Sequence, residues 1–385
     1  MKKAFRICLV IALLVFLAAG GLLIRRLLLH EKYQNEQIDL LMQKEAEDEA
    51  KMEELQGEIR RLEKVISSLD DSQGIYQKLK NGRYVNILIV GDSIGAGTGA
   101  SGSECQWFSL LTEWMHQTYG VEYTLTNISM GGNTSYAGYA RTMILEDGID
   151  YDLAIICYGE NDSEEGFSSN YEAIIRGIRE KYTACNMISI LESSQKTYTN
   201  KMQEIKRLAD YYGIPVADTI KAFQESGYQE TELAEDGTHP GDAGQKLYFE
   251  TLRDVILNQL AKDESFTKAK LSAVNQDAME YESFRYYPVD CFVRTDEFTW
   301  EMETEPINGK IGVYRSYDAG NCTLKVLNND VLLKETVVDW QYEFSQTYFE
   351  KISEEVYTID GNIKLVFASA GQADEFEGLL FTGVQ

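Results

Sequence analysis

Apolar residues follow four different rhythms along this chain. Residues 7–24, "ICLVIALLVFLAAGGLLI", run without a charge. At about 1.5 Å rise per residue such a helix is about 27 Å long, enough for the hydrocarbon core of a bilayer. Next, Ile38, Leu41, Met52, Leu55, Ile59, Leu62, Ile66 and Leu69 fall mostly three and four apart, the spacing of a coiled-coil seam. Glu45 and Asp48 interrupt that seam, Gly57 weakens the helix, and "DDSQG" after Leu69 ends it. Then the rhythm changes to short continuous apolar runs: "VNILIV", "YTLTNI", "YDLAIICY", "NMISIL" and "IPVAD". Between them lie stretches of helical period near 107–119, 136–145, 171–182 and 199–212, with a last one at 243–260. Uninterrupted apolar strands joined by helical crossovers predict a parallel sheet covered on both faces. Beyond residue 270, "CFVRTDEFTW", "KIGVYRSY", "CTLKVLNNDVLLKETVV" and "NIKLVFAS" alternate in strand fashion between turn signals such as "NND" and "DGN".

These rhythms predict four parts: a membrane anchor at 1–30, a coiled-coil stalk at 31–80, a doubly wound α/β domain with five parallel strands at 82–262, and a β-rich, sandwich-like module at 265–385. The seam would hold two chains as a homodimer; a lone solvated helix is the alternative. Lys2, Lys3, Arg6, Arg25 and Arg26 flank the apolar segment, and no acid occurs before Glu31. The expectation is an uncleaved anchor with the N-terminus in the cytoplasm and the bulk of the chain outside it. A cleaved signal peptide, with "LAAGG" as its cleavage region, is the competing reading.

Charge removes one class of partner. The chain has 36 basic and 62 acidic residues, a formal net charge of -26. A nucleic-acid partner needs a basic face, so none is expected. Of the six cysteines, Cys8 lies in the membrane segment, and Cys157 and Cys185 sit in apolar strand-like runs as buried thiols. A bridge between Cys291 and Cys322 is open to Cys spacing alone. No CxxC or Cys/His cluster suggests a metal site.

The candidate chemistry begins where the first strand turns, at "GDSIGAGTGA". A phosphate loop would need a lysine that this stretch lacks, and Gly95, Gly97 and Gly99 are misplaced for a dinucleotide fingerprint. A helix-capping serine is the bland reading of Ser93. Three distant stretches point to a nucleophile instead. "NISMGGNTS" follows the second strand and offers glycine N–H groups; "CYGEND" ends the third and brings Asn161 to the same edge; "DGTHP" precedes the last helix. Open parallel sheets gather their sites at that carboxyl edge. A serine hydroxyl needs a base to take its proton. There are three histidines, His30 beside the membrane segment, His116 in a helix and His239 in a loop, and the loop residue is the one suited to the edge. Asp236, three residues earlier, could accept from the imidazole and fix its tautomer.

Taken together, "GDSIGAG", "NISMGG", "GEND" and "DGTHP" resemble the four motif blocks of the SGNH hydrolases, also called the GDSL esterase/lipase family. The resemblance covers residues 82–262 and implies a three-layer, SGNH/flavodoxin-like fold. It implies Ser93, Asp236 and His239 as catalytic residues, with Ser93 as nucleophile. It implies an oxyanion hole from the N–H groups of Ser93 and Gly132 and the side chain of Asn161. Ser129 stands where the family commonly has glycine, and Gly131 beside Gly132 leaves the register of that block ambiguous by one. The implied activity is hydrolysis of acyl esters without metal or cofactor. The anchor, stalk and β module tilt the expected substrate toward an O-acetylated envelope or extracellular glycan. A lipase or lysophospholipase, an O-acyltransferase on the same site, and an inactive binding or scaffold protein are the alternatives. Trp300, Tyr286, Tyr287, Tyr314 and Tyr317 are either sugar-stacking faces or core of the β module.

Overall fold

The computed structural model describes residues 44, 51–52, 55, 74–146, 148–262, 272–277, 281, 283–317, 322–338 and 346–383. The expected membrane anchor lies outside the described residues, as does most of the expected stalk. Of the stalk, Lys44, Lys51, Met52 and Leu55 are helical and exposed. Among the described residues, no helix is long and apolar enough to cross a membrane.

Asp70–Gln385 forms one compact unit. Its chain order begins α1 (Ile75–Lys80), β1 (Val85–Gly91), α2 (Trp107–Tyr119), β2 (Tyr123–Asn127), α3 (Ser135–Ile144), β3 (Leu153–Cys157), α4 (Phe167–Lys181), β4 (Asn186–Leu191) and α5 (Asn200–Tyr212). It continues with β5 (Val216–Asp218), α6 (Thr219–Glu225), α7 (Glu230–Leu233) and α8 (Asp242–Lys262). The five strands are parallel in the order β2-β1-β3-β4-β5. The order reverses at β1, which lies between β2 and β3, and a crevice opens at such a switch point. Strand side chains alternate between two cores. Ile87, Ile89, Leu153 and Ile155 meet Leu111, Met115 and Leu252, while Leu88, Val90, Ala154 and Ile156 meet Tyr139, Ile174 and Leu208. Every residue of β1 and β3 is buried, which is why these strands read as continuous apolar runs.

Residues 75–80, assigned by the sequence pattern to the end of the stalk, belong instead to this domain: Ile75 and Leu79 are fully buried in its core. Helices α6 and α7 are additions to the elements that the apolar rhythm predicts.

The C-terminal module comprises β6 (Phe284–Pro288), β7 (Val293–Arg294), β8 (Thr299–Tyr317), β9 (Cys322–Asn328), β10 (Val331–Val338), β11 (Gln346–Lys351), β12 (Tyr357–Phe367), a short α9 (Ala370–Asp374) and β13 (Phe376–Thr382). Strand β8 pairs with β12 through residues 299–309, and with β13 and β11 through residues 310–317. The change of partner falls at Gly309, where a Cβ would come within 2.8 Å of the Thr382 carbonyl oxygen. Both halves feed one core, Leu324, Ile363 and Leu365 from one and Val313, Leu379 and Phe381 from the other. The module is thus β-rich, as its alternation predicts, with one helical turn added. Phe349 and Leu380 join the core of the α/β domain, so the two parts share apolar contact.

Two alternatives left open by the sequence are decided here. No bridge joins Cys291 to Cys322: Cys105, Cys157, Cys185, Cys291 and Cys322 are all free, and Cys322 is buried while Cys291 is exposed. The aromatic residues Trp300, Tyr286, Tyr287, Tyr314 and Tyr317 follow the core reading and pack against the two cores. Tyr317 is buried, Tyr314 stacks on Phe349 with centroids 3.9 Å apart, and Trp300 donates its indole N–H to the Ala373 carbonyl.

Candidate active site

Strand β1 ends at Gly91, and the chain then folds back on itself: Ala96 N–H donates to Asp92 O at 2.9 Å and Thr98 N–H to Ser93 O at 3.0 Å. This single coil sets Ser93 at the carboxyl edge. Its tightness requires glycine at 91 and 95, because a Cβ at Gly95 would fall 2.9 Å from the Gly91 Cα. The same two glycines make room for Ser129, whose Oγ lies 2.7 Å from where a Gly95 Cβ would be. The serine that departs from the family pattern is therefore accommodated from the opposite side. Asn127 joins the two blocks, donating to Gly95 O at 3.0 Å and accepting from Ser129 N–H at 3.0 Å.

Ser93 Oγ is 2.9 Å from His239 Nε2, and His239 Nδ1 is 2.6 Å from Asp236 Oδ2. The other carboxylate oxygen, Oδ1, accepts from Thr238 N–H at 2.9 Å and His239 N–H at 2.7 Å. Desolvation opposes ionisation of Asp236, but the hydrogen bonds from the His239 ring and the two backbone amides prevail and hold its pKa at about 2. A carboxylate on Nδ1 fixes the proton there, leaving Nε2 free to accept from a hydroxyl. The sequence-identified Ser93, Asp236 and His239 are thus brought together in line.

Residues 130–133 form a turn closed by Asn133 N–H to Met130 O at 3.2 Å, with Gly132 at φ +72°. That left-handed position favours glycine and distinguishes Gly132 from its neighbour Gly131. The N–H groups of Ser93 and Gly132 have no hydrogen-bond acceptor among the described residues. Asn161 reaches the same edge from β3, where its Nδ2 donates to Asn133 O at 3.1 Å and to Asp92 Oδ2 at 3.4 Å. Its neighbour Asp162 turns away and holds the start of α3, accepting from Ser135 Oγ at 2.6 Å and Ser135 N–H at 2.9 Å.

Several supports were not visible in the sequence. Asp92, fully buried behind Ser93, accepts from Ile94 N–H at 2.9 Å and meets the carboxyl group of buried Glu192 at the end of β4. Burial, helped by the charges of Asp162 and Glu160, pushes Asp92 up to about 7 despite its hydrogen bonds. Burial and the neighbouring Asp92 also raise Glu192 well above the carboxylate range. Gln245 on α8, also fully buried, accepts from Trp107 N–H and donates to Thr98 O and Pro240 O, tying the serine loop to the histidine loop. Periodicity marks Gln245 only as a polar residue on an inward helix face. Among the described residues, no group of three or more His, Cys, Asp or Glu could hold a metal ion.

Residues 89–247 match the model of the GDSL-like Lipase/Acylhydrolase family. An arylesterase of Vibrio mimicus is 28% identical over 183 residues, 45% of this chain and 89% of its own length. Esterase TesA of Pseudomonas aeruginosa is 28% identical over 172 residues, 43% of this chain and 85% of its own. A crystallised two-domain esterase active on acetylated mannans, solved with mannopentaose, is similar in fold at a TM-score of 0.63 and 18% identity. That match covers 80% of this chain and 94% of the esterase, so it extends over the β module as well. Fold, motif order and family match agree over residues 89–247, which form a GDSL-like lipase/acylhydrolase domain.

Proposed function

We propose that this protein is a serine esterase that removes O-acetyl or other short acyl groups from a cell-envelope or extracellular glycan. The observation that carries the reading is the unbroken hydrogen-bond line from Ser93 through His239 to Asp236. In it, His239 Nε2 takes the Ser93 proton as Oγ attacks the ester carbonyl carbon, and the carbonyl electron pair moves onto oxygen. The N–H groups of Ser93 and Gly132 and the Asn161 amide receive that oxyanion. Losing one such donor typically costs about 3–4 kcal/mol in the barrier. The imidazolium then protonates the departing sugar oxygen as the C–O bond breaks, leaving the acyl group on Ser93. Water adds by the same route, releasing the carboxylic acid and restoring the serine.

Two features favour a glycan. The fold neighbour active on acetylated mannans shares the two-part architecture. A cavity of about 400 Å³ also lies between the α/β domain and the β module, lined among others by Asp162, Ser163, Tyr348, Lys310 and Glu354. Its polar walls suit hydroxyl groups better than an acyl chain. The N-terminal 30 residues would hold the enzyme at the membrane with its catalytic domain outside the cytoplasm, and residues 31–80 would pair two copies.

The test is hydrolysis of p-nitrophenyl acetate, butyrate and octanoate by the purified chain, with Ser93→Ala beside it. Acetate turnover that disappears in Ser93→Ala, followed by acetate release from O-acetylated mannan or xylan, is expected. Preference for octanoate would move the substrate to lipids, and turnover that survives Ser93→Ala would overturn the serine mechanism.

A further inference from the structure

We propose that strand β11 of the C-terminal module is a working part of the active site, holding the 130–133 turn in place, and that Arg141 and Asn133 are the positioning residues through which it acts. This rests on the serine-esterase reading above. Strand β11 is bonded to β8 along one edge. On its other edge the Thr347 carbonyl is satisfied by the α/β domain: it accepts from Arg141 Nη2 at 3.0 Å and from Asn133 Nδ2 at 3.2 Å. The same Arg141 nitrogen reaches Thr347 Oγ1 at 2.9 Å and Met130 Sδ at 3.1 Å. Asn133 Nδ2 also donates to Gly131 O at 3.1 Å, and the Asn133 carbonyl accepts from Asn161 at 3.1 Å.

Met130, Gly131 and Asn133 surround Gly132 in its turn, and each is tied to Thr347 directly, through Arg141 or through the Asn133 amide. Asn161, the other oxyanion donor, lies one hydrogen bond further along. Two adjacent glycines give such a turn wide conformational freedom, so its N–H groups point where outside contacts hold them. Oxyanion donors act only when held within a fraction of an ångström of the developing charge. Asn133 is fully buried, and its Nδ2 is committed to the Gly131 and Thr347 carbonyls, which ties its side chain to both. Arg141 is itself seated: its guanidinium lies 5.4 Å from the Phe349 ring centroid and 5.8 Å from that of Tyr314. A contact that served only to glue two modules together would not need to converge on the oxyanion turn.

The test uses the full chain with Arg141→Met, which keeps an apolar side chain of similar length and removes the fork of donors. The expected kcat on p-nitrophenyl acetate falls about ten- to hundredfold, less than deletion of a donor itself. KM should stay within about threefold, and the Ki of phenylboronic acid, whose tetrahedral adduct uses the same donors, should rise by the factor kcat loses. Asn133→Ala, which leaves the guanidinium in place, should show the same split and serves if Arg141→Met does not fold. Native kcat and boronate Ki in both variants, with only the melting temperature lowered, would overturn the proposal and leave β11 as mere glue. Those variants fully active beside an inert Ser93→Ala would remove this inference alone. Turnover that survives Ser93→Ala would remove the esterase reading and this inference together.

Discussion

Replacing Asp236 by asparagine should impair turnover more than replacing it by alanine. The reason is the pair of backbone amides on Oδ1, from Thr238 at 2.9 Å and His239 at 2.7 Å. They accept no substitute but an oxygen, so the new amide nitrogen must take the Oδ2 position facing His239 Nδ1. An N–H there forces Nδ1 to accept and puts the ring proton on Nε2, where it blocks uptake of the Ser93 proton. Two losses add. The carboxylate stands 2.6 Å from Nδ1, and its side chain is 55% exposed, so screening between that of a protein surface and bulk water leaves an attraction for the imidazolium of about 2–3 kcal/mol. Holding the wrong tautomer adds about 1–1.5 kcal/mol, the value of one neutral hydrogen bond. Asp236→Asn should therefore lose about a thousandfold in kcat and Asp236→Ala about a hundredfold, at about 1.4 kcal/mol per decade. The assay is steady-state hydrolysis of p-nitrophenyl acetate, with the tautomer read by ¹⁵N NMR, which three histidines keep assignable. An asparagine variant as active as the alanine variant, or more so, would refute the role given to Asp236.

Other expectations follow from the supports of the site. Gly95→Ala places a Cβ 2.7 Å from Ser129 Oγ and 2.9 Å from Gly91 Cα, so it should destabilise by about 1–3 kcal/mol, and Ser129→Gly should recover only part of that loss in a double-mutant cycle by denaturant melts. Full recovery would show that the Gly91 contact does not matter. Gln245→Leu strands the Trp107 N–H and the Pro240 carbonyl in the interior, and should cost about 2–4 kcal/mol of stability with a parallel fall in kcat; an unchanged melting temperature would contradict its bridging role. Stability should fall from pH 5 to pH 7.5. Burial raises Asp92 and Glu350 up to about 7 and Asp162 up to about 6, so the folded state keeps protons that the unfolded chain has shed. A raised carboxyl pKa gives stability that is full below the unfolded value of about 4 and is lost as pH rises through the folded one, at roughly 1 kcal/mol per pH unit and proton. Asp236, held at about 2, acts oppositely but only below that range. Urea melts that show rising stability over the interval would refute this reading of the buried acids.

The α/β domain was legible because its central strands β1, β3 and β4 are buried on both faces. Val85–Gly91 has no polar alternation to confuse it, and the first four strands are each followed by a helix of clear period. The candidate site was legible for a different reason: Ser93, Asn161 and His239 all sit on loops at one sheet edge, which the order of strands dictates. What escaped the sequence depends on distant contacts. Helix Ile75–Lys80 joins the core through Ile75 and Leu79, yet its pattern differs little from that of the stalk before it. The aromatic residues of the module read more readily as core than as a sugar platform, and the burial of Tyr317 agrees with that reading. The link from Asn133 to Thr347 spans 214 residues of chain, and nothing local at either end announces it. Asp92 reads as part of a motif, but its partnership with Glu192 arises only when β1 and β4 end at the same edge of the sheet.

The central claim is that Ser93 is a nucleophile activated by His239. The most direct measurement is intact-mass and peptide-mapping analysis of the full chain after exposure to a fluorophosphonate. A single adduct on Ser93 is expected, absent from Ser93→Ala and formed far more slowly in His239→Ala. No adduct on Ser93 in a folded protein that still hydrolyses p-nitrophenyl acetate would contradict the account.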